Sequence, residues 1–331
     1  MYQKAGIIAR SIAALTIAGL ASTVSVAYAQ VAYPSRPITL VVAFPPGGGV
    51  DNVARRLGEL LGKSLKQTVV IENKPGAGGN LAGGIVSNAR PDGYTLLYTA
   101  YAGLIIAKAL GTPLKFDPMT DLTPVVFAAS SSVALVVRPD LPVKNYQEFI
   151  AYAKKNPGKL NFGSNGVGSS YHLALEKIKA EENVDIVHVP FQGGMPSQLA
   201  VMGGQIDAIF ASITQANPSI KSGKLKAIAL ASSPRSPLLP DVPTIAESGL
   251  PKYNQASNTG IFVPAGTPKI IIDRINQEVE KAMTDPGLKE ALAAEAVSFP
   301  GKNSPAEFGK LLTEEFTDLA ALIKQRNLTF N

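Results

Sequence analysis

Residues 38–51, ITLVVAFPPGGGVD, combine a continuous apolar run, two prolines, three glycines and an acidic residue. The apolar run at 38–44 is rich in β-branched residues and is bounded by turn residues, a pattern typical of a strand buried on both faces of a parallel sheet. Asp51 is a candidate N-cap, and the apolar residues behind it recur at helical spacing. The stretch therefore predicts a strand, a loop and the start of a helix.

The three glycines of this loop would lie at the mouth of the predicted helix. Gly47, Gly48 and Gly49 have no Cβ atoms, so a ligand can approach their backbone closely. Free N–H groups and the helix dipole attract an anion to such a position, provided that the carboxylate of Asp51 turns into the helix. The residues alone thus predict a cradle for a carboxylate or a phosphate.

The first 29 residues have the features of a secretory signal peptide. Lys4 and Arg10 give a basic start, residues 7–26 are apolar or small, and Ala27-Tyr28-Ala29 fits the small-x-small cleavage rule. We expect export with cleavage after Ala29. A retained membrane anchor is the less favoured alternative, because the apolar segment carries several Ser, Thr and Gly residues and no second span follows.

Composition sets limits on the class of protein. Removal of 29 residues from 331 leaves 302, more than a single core usually holds, so two domains are expected. The absence of cysteine excludes disulfides and thiol catalysis. The formal charge of +6 comes from dispersed basic residues, with no basic run interleaved with aromatic residues, so nucleic acid is not an expected partner.

Three more glycine-containing loops each follow a predicted strand and precede a predicted helix. They occupy residues 73–80, 163–170 and 192–196. Alternation of strands and helices predicts a doubly wound, mostly parallel sheet. Because ligands of open α/β sheets bind beyond the carboxyl ends of the strands, the four loops can converge on one site.

The stretch 125–137 is long for one strand and is interrupted by Ser130, Ser131 and Ser132, which predicts a crossing from one sheet to another. A proline-rich connector precedes a predicted return near residue 255. The first lobe is then residues 33–131 with 256–331, and the second lobe is residues 132–255. A final amphipathic helix at 305–325 is expected to close over the first lobe.

Several catalytic interpretations can be tested against these motifs. A nucleotide site is disfavoured, because the first loop lacks a Gly-Lys-Ser/Thr ending and Leu81 stands where the dinucleotide fingerprint has Gly or Ala. Ser164, Ser169, Ser170 and His172 are close in sequence, but the Gly-x-Ser-x-Gly elbow of a serine hydrolase is absent. With two histidines and no His-Glu-x-x-His spacing, no metal site is predicted.

Six motifs taken together resemble those of the Bug receptors, the solute-binding subunits of tripartite tricarboxylate transporters. They occur in the family's order and span nearly the whole mature chain. The motifs are residues 43–51 (AFPPGGGVD), 72–80 (ENKPGAGGN), 163–172 (GSNGVGSSYH), 189–194 (VPFQGG), 239–244 (LPDVPT) and 264–268 (PAGTP).

The resemblance implies a periplasmic, non-enzymatic receptor with a type II-like periplasmic-binding-protein fold. Each lobe would be a mostly parallel sheet flanked by helices, and a hinge would close the lobes on a di-, tri- or aromatic carboxylate. The implied partners are the permease subunits of the transporter, the predicted form is a monomer, and no cofactor is implied. The implied ligand contacts are Phe44, Gly47, Gly48, Ala77, Gly78 and Asn80 in the first lobe, and Ser164, Asn165, Ser169, His172 and Ala211 in the second.

Two stretches depart from the family's pattern. Val50 stands where many members have a hydroxyl residue, and Asn258-Thr259-Gly260 replaces a stretch that is often aromatic, which predicts a more polar rim of the pocket. Two alternatives to a transport receptor stay open at this point. One is a secreted hydrolase that uses a serine of the third loop, and the other is a binding protein that serves a sensor.

Overall fold

The computed structural model describes residues 33–326. The predicted signal peptide and its cleavage site lie outside these residues. The strands in chain order are β1 Ile38–Val42, β2 Val69–Asn73, β3 Thr95–Ala100, β4 Leu122–Ser131, β5 Val133–Val137, β6 Asn161–Ser164, β7 Val187–Pro190, β8 Ala208–Ser212, β9 Lys226–Leu230, β10 Ser257–Pro264 and β11 Val297–Ser298. The helices are α1 Gly49–Leu65, α2 Asn80–Ser87, α3 Ala102–Ala109, α4 Tyr146–Lys155, α5 Ser170–Glu182, α6 Gly194–Met202, α7 Ile213–Lys221, α8 Lys269–Met283, α9 Pro286–Ala294 and α10 Pro305–Arg326.

The strands form two sheets. The six-stranded sheet has the order β11-β4-β10-β3-β1-β2, and the five-stranded sheet has the order β7-β6-β8-β5-β9. In the first, β1 is parallel to β2 and β3, whereas β10 is antiparallel to β3 and β4. In the second, β6 is parallel to β7 and β8, whereas β5 is antiparallel to β8 and β9. We call the first sheet with its helices the first lobe, and the second sheet with its helices the second lobe.

Both sheets are mixed, which differs in detail from the mostly parallel sheets expected from the sequence. Four of the antiparallel pairings arise at β5 and β10, the strands with which the chain enters one sheet from the other, and the short β11 adds a fifth with β4. Parallel neighbours need a helical crossover, whereas a strand that arrives directly from the other sheet can pair antiparallel. The glycine loops follow the carboxyl ends of β1, β2, β6 and β7, and all four strands pair with parallel neighbours.

The chain changes sheet at Ser132, the single residue between β4 and β5, and changes back between β9 and β10. A third segment also touches this crossing. The backbone N–H of Ser132 donates to the carbonyl of Ala296 at 3.0 Å, and the N–H of Ile213 donates to the carbonyl of Ser132 at 2.9 Å. The residue limits of the two lobes remain a prediction, and Ala296 packs against the core of the second lobe although its sequence neighbours pair with β4.

The last helix packs on the first sheet through Phe308, which is buried. A Cβ atom on Gly260 of β10 would lie 2.4 Å from the Phe308 ring, so the helix approaches the strand there as closely as a glycine permits. The ring of Phe308 also meets Tyr101 edge-on at a centroid distance of 5.3 Å. Within residues 33–326, no helix combines the length and the apolar composition that a membrane crossing needs.

Three elements were not predicted from the sequence. Helix α3 is apolar on most faces and β11 has two residues, so neither shows a clear periodicity, and helix α7 contains Pro218, a residue that usually ends a helix. The predicted N-cap of α1 is wrong as well. Gly48 occupies that position, and Asp51 lies inside the first turn, where its carboxylate accepts a hydrogen bond from the N–H of Gly47.

Candidate functional site

Two neighbouring cavities lie between the lobes, beyond the carboxyl ends of β1, β6 and β8. The first has a volume of about 110 Å³ and the second about 120 Å³, and Phe44, Pro45, Gly78 and Asn165 line both. The lobes approach each other here. A Cβ atom on Gly193 of the second lobe would stand 3.7 Å from Pro45 of the first.

The structure brings seven of the eleven predicted site residues to these cavities. They are Phe44, Gly48, Ala77, Gly78, Asn165, Ser169 and Ala211. The other four, Gly47, Asn80, Ser164 and His172, line neither cavity and instead hold the binding loops in place.

The first loop is held by the buried carboxylate of Asp51. It accepts hydrogen bonds from the N–H of Gly47 at 2.8 Å, from Arg55 Nε at 2.7 Å and from Asn73 Nδ2 at 2.7 Å. Asn73 Nδ2 also donates to the carbonyl of Phe44 at 2.9 Å. Burial alone would raise the pKa of Asp51, but these hydrogen bonds outweigh it and hold that pKa below its ordinary value. The carboxylate is therefore turned away from the cleft.

This arrangement leaves the mouth of α1 open to the first cavity. Gly48, Gly49 and Val50 line that cavity at the N-terminus of the helix. The first N–H groups of a helix have no intrahelical partner, so they are available to a ligand. Val50, which departs from the family's pattern, is therefore in a position to contact it.

The second loop has a rare backbone conformation. Four successive residues have positive φ angles: 142° at Gly76, 50° at Ala77, 63° at Gly78 and 102° at Gly79. A Cβ atom on Gly103, at the start of α3, would stand 2.0 Å from the carbonyl oxygen of Gly78, so only glycine fits there. The loop is thus pressed onto the N-terminus of α3.

Asn80 fixes this contact from behind the loop. Its Nδ2 donates to the carbonyl of Ala77 at 2.8 Å and to the carbonyl of Gly103 at 3.2 Å. The residue is buried and does not line either cavity. The amide nitrogen is thus engaged in positioning the loop, whereas Oδ1 has no hydrogen-bond partner among the described residues, and the implied role of Asn80 as a ligand contact stays a prediction.

The third loop rests on a stack of two histidine rings. The imidazoles of His172 and His188 are 3.5 Å apart between centroids, with 11° between their planes. The Ser164 hydroxyl lies 2.6 Å from His188 Nε2, and the N–H of Gly168 donates to His172 Nδ1 at 3.2 Å. Burial lowers the pKa of His172 to about 3 and that of His188 to about 4. The charge of His188 adds to the effect on His172, and the charge of Lys179 adds to both effects.

The same contacts bear on the hydrolase alternative. Ser164 and His188 are the closest approach to a serine and base pair in this loop, but Ser164 is only 1% exposed and lines neither cavity. Its hydroxyl also contacts the backbone of Gly166, donating to the carbonyl at 2.9 Å. The geometry therefore favours a role in shaping the third loop over that of a nucleophile.

Helix N-termini supply the electrostatic character of the cleft. The first residues of α1, α3, α5, α6 and α7 line the first cavity, and Gly79, which precedes α2, lines the second. Among the described residues, no charged side chain lines either cavity, and no cluster of histidine and acidic residues could hold a metal ion. Oriented N–H groups and helix dipoles therefore make the cleft attractive to an anion.

Sequence reasoning missed part of the second-lobe lining. Ser212, Gln215, Gly194 and Met195 line the first cavity, and one of them, Gln215, belongs to α7, which was not predicted. Ser212 is the last residue of β8, so a serine at the carboxyl end of a strand was the available signal.

The polar rim expected at residues 258–260 is also not formed. Thr259 and Gly260 are buried inside β10, where the Thr259 hydroxyl lies 2.8 Å from the Tyr98 hydroxyl. Asn258 Oδ1 accepts a hydrogen bond from Ser130 of the neighbouring strand at 2.8 Å. The exchange of aromatic for polar residues thus affects the interior of the sheet, not the edge of the pocket.

Comparison with known proteins agrees with this architecture. Residues 53–328 match the model of the tripartite tricarboxylate transporter family receptor. The chain is 32% identical to Protein BugT of Bordetella pertussis over 312 residues, which covers 94% of each chain.

Two solved structures have the same fold. The periplasmic binding protein BugD superposes with a TM-score of 0.83 at 32% identity, covering 89% of this chain and 99% of BugD. MatC from Rhodopseudomonas palustris, solved with bound malate, superposes with a TM-score of 0.82 at 34% identity, covering 88% of this chain and 100% of MatC. The predicted two-lobed fold of periplasmic binding proteins is confirmed. Shared motifs, family match and fold lead to one conclusion: the chain belongs to the Bug receptors, the receptor family of the tripartite tricarboxylate transporters.

Proposed function

We propose that this protein is an extracytoplasmic receptor that captures a small organic carboxylate between its lobes and delivers it to a tripartite tricarboxylate transporter. The observation that carries the proposal is the cleft itself. It is lined from both lobes by helix N-termini and by no charged side chain of the described residues. Such a site neutralises a carboxylate with N–H groups and dipoles.

The first lobe supplies the main anchor for the carboxylate. The open N-terminus of α1 at Gly48–Val50 and the second loop at Ala77 and Gly78 meet at Phe44, which lines both cavities. Successive N–H groups in a loop with positive φ angles form a concavity suited to an anion. The second lobe would contact the remainder of the ligand through Asn165, Ser169 and Ala211.

Closure by a hinge explains how binding is signalled. Ser132 joins the two sheets as a single residue, and the loops of the two lobes approach so closely that a Cβ atom added to Gly193 would lie 3.7 Å from Pro45. A ligand that contacts both lobes stabilises the closed arrangement in proportion to its preference for it. The transporter would then receive the closed form.

The relatives support a carboxylate as cargo. MatC holds malate and shares both the fold and 34% of its aligned residues with this chain. Backbone groups that anchor a carboxylate do not recognise the rest of the ligand, so the panel of ligands to test is broad.

Thermal and chemical unfolding with di-, tri- and aromatic carboxylates tests the proposal. A ligand present at about 100 times its dissociation constant is expected to add about 2.7 kcal/mol to the free energy of unfolding. Mass spectrometry of ligand released from the freshly purified protein identifies cargo that is already bound. No stabilisation by any carboxylate, together with no released ligand, would overturn the proposal.

A matched pair of variants tests the anchor. Gly48 has an extended backbone, and the nearest atom to an added Cβ would be the carbonyl oxygen of Pro45 at 3.5 Å, so a side chain fits. Gly48→Glu places a negative charge at the mouth of α1, whereas Gly48→Gln places a neutral group of the same shape there. We expect the Glu variant to bind the carboxylate much more weakly than the Gln variant. Equal affinities of the two would exclude this anchor.

Two further experiments address localisation and partner. N-terminal sequencing of the exported protein is expected to begin at Gln30, as cleavage after Ala29 requires.

Pull-down from membranes with ligand is expected to recover the permease subunits. Recovery of a sensor protein instead would support the alternative in which binding serves signalling.

A further inference from the structure

The second-lobe wall of the first cavity carries polar groups that have no partner within the protein. Ser212 Oγ and Asn165 Oδ1 are buried, and neither has a hydrogen-bond partner among the described residues. Both residues line the cavity. Buried polar atoms almost always have a hydrogen-bond partner. Two such atoms without a partner, both beside the cavity, therefore indicate that a group of the ligand binds to them.

Ser212 is unusual among the serines and asparagines that precede helices here. It occupies the N-cap position of α7, yet its side chain makes no capping hydrogen bond. Ser169 and Asn145, in the same position of α5 and α4, accept from the N–H of His172 and Glu148 respectively. The Ser212 hydroxyl therefore keeps both its donor and its acceptor capacity on the cavity side of the helix.

Ser212 also lies opposite the proposed carboxylate anchor. Its Oγ is 3.6 Å from the position of a Cβ atom on Gly49, the first residue of α1. A ligand held by its carboxylate at the mouth of α1 would therefore present its next polar group to this hydroxyl.

A third polar side chain, Gln215, is held in a fixed orientation. Its Nε2 donates to Gln198 Oε1 at 3.1 Å, and Gln198 Nε2 donates in turn to Ser219 Oγ at 3.2 Å. Nε2 also donates to Met195 Sδ at 3.4 Å, so both of its protons have acceptors and Oε1 is the end of the amide left to accept a hydrogen bond. Gln215 Oε1, Gln215 Nε2 and Asn165 Oδ1 lie 3.1 Å, 3.4 Å and 3.6 Å from one point, the position of a Cβ atom on Gly194.

The wall therefore combines two amide oxygens, which accept hydrogen bonds, with a hydroxyl that can donate or accept. A second carboxylate placed between two acceptor oxygens would be repelled, whereas a hydroxyl can donate to them and accept from Ser212. An ammonium group would donate as well, but the N-termini of α6 and α7 at this wall disfavour a cation.

We propose that Asn165, Ser212 and Gln215 form a subsite for a hydroxyl group, so that this receptor selects a hydroxycarboxylate over the same carboxylate without its hydroxyl. This inference rests on the proposed function, since the carboxylate end must be held by the first lobe. Gly194 contributes to the subsite by having no side chain, because a Cβ atom there would lie 3.1 Å and 3.6 Å from the two amide oxygens.

Calorimetric titration with matched ligand pairs tests the subsite: malate and succinate, lactate and propionate, 3-hydroxybutyrate and butyrate, and 4-hydroxybenzoate and benzoate. We expect the hydroxylated member of at least one pair to bind about tenfold more tightly or better, equivalent to ~1.4 kcal/mol. In Asn165→Ala and in Ser212→Ala this advantage should fall severalfold, because the hydroxylated member of the pair loses more affinity than the plain carboxylate.

The control is Asn161→Ala, which removes the same side chain at the opposite end of β6, away from both cavities. It should keep the full hydroxyl advantage. The inference is overturned if both members of every pair bind equally well, or if the site variants weaken both members to the same extent. If no carboxylate of any pair binds the wild-type protein, the proposed function itself fails, and the two failures are thereby distinguished.

Discussion

The imidazole rings of His172 and His188 stack face to face, with centroids 3.5 Å apart, beneath the loop that carries Asn165 and Ser169 into the cleft. Two protonated rings at that distance would repel each other, and burial already disfavours their charged forms. The pair therefore supports the loop only while both rings are neutral.

Acid should for this reason destabilise the fold through the histidine pair. The folded pKa values of about 3 and about 4 lie below the ordinary value near 6.5. At pH values between the folded and the ordinary pKa, the unfolded chain therefore binds more protons than the folded protein. The contribution is fully present above about pH 6.5 and is lost as the pH falls to about 4 for His188 and to about 3 for His172, at up to about 1.4 kcal/mol per pH unit for each ring. Chemical denaturation from pH 4 to 7.5 measures this slope.

The variant for this measurement is His172→Phe, which keeps an aromatic ring in the stack and removes one titrating group. Carboxylates also titrate below pH 5, and Glu176 Oε1 lies 3.8 Å from His172 Nε2, so the slope is taken as the difference between wild type and variant. We expect a shallower dependence in the variant. An identical slope would show that the stack is not responsible.

Asp51 should contribute to both stability and binding, because it fixes the first loop. Asp51→Asn replaces an ionised acceptor of hydrogen bonds from Gly47, Arg55 and Asn73, and should lower the free energy of unfolding by about 2 kcal/mol near neutral pH. Since the folded pKa is held below its ordinary value, this contribution is present above about pH 4 and disappears in stronger acid. Urea titrations at pH 7 and pH 3 measure both parts.

Glu59→Gln on the same helix provides the control for Asp51. Its carboxylate pairs with Lys63 on the exposed surface, where an ion pair contributes little. Stability and ligand affinity should be unchanged. A loss in Glu59→Gln as large as that in Asp51→Asn would mean that helix charge, and not the loop contact, sets the effect.

The close approach of α3 to the second loop predicts opposite effects for two glycine substitutions. Gly103→Ala forces a Cβ against the carbonyl of Gly78, and should lower stability by about 1–3 kcal/mol and weaken carboxylate binding. Gly84→Ala, inside α2, meets only Phe116 at 3.5 Å and should raise stability by about 0.5–1 kcal/mol. Melting temperatures and ligand titrations separate them, and equal behaviour would contradict the assigned geometry.

The two N-cap serines that line the cleft should also differ. Ser169→Ala removes a capping hydrogen bond to the N–H of His172 and should cost about 1 kcal/mol of stability without ligand. Ser212→Ala removes no hydrogen bond within the protein and should leave stability unchanged or slightly raised. Unfolding in the absence of ligand tests this, and a clear loss in Ser212→Ala would show that its hydroxyl has a structural partner.

The sequence was sufficient for the parts of the site that depend on local pattern. Glycine loops directly after apolar runs, such as those following β1 and β6, are visible because strand and turn residues have distinct compositions. Their convergence on one cleft then follows from the rule that ligands bind beyond the carboxyl ends of strands.

What the sequence did not predict depends on contacts between distant segments. The role of Asn80 requires the carbonyl of Gly103, and the role of Ser164 requires His188, which is 24 residues away. Helix α7 was missed because Pro218 lies inside it, and with it Gln215 was missed. The antiparallel pairings of β5 and β10 likewise arise from the order in which the chain visits the two sheets.

The absence of ionisable side chains from the described walls of the cleft has a consequence for how such a receptor can acquire a new cargo. Where an arginine holds the anion, a change of ligand charge must be matched by a change of residue charge. The intermediate variant then carries an unpaired buried ion and is less stable for that reason. In the binding mode that we propose, the backbone attracts the anion and the side chains of the second lobe discriminate between ligands. Single neutral substitutions at positions such as Asn165 or Gln215 can therefore redirect selectivity in one step, without a compensating mutation elsewhere.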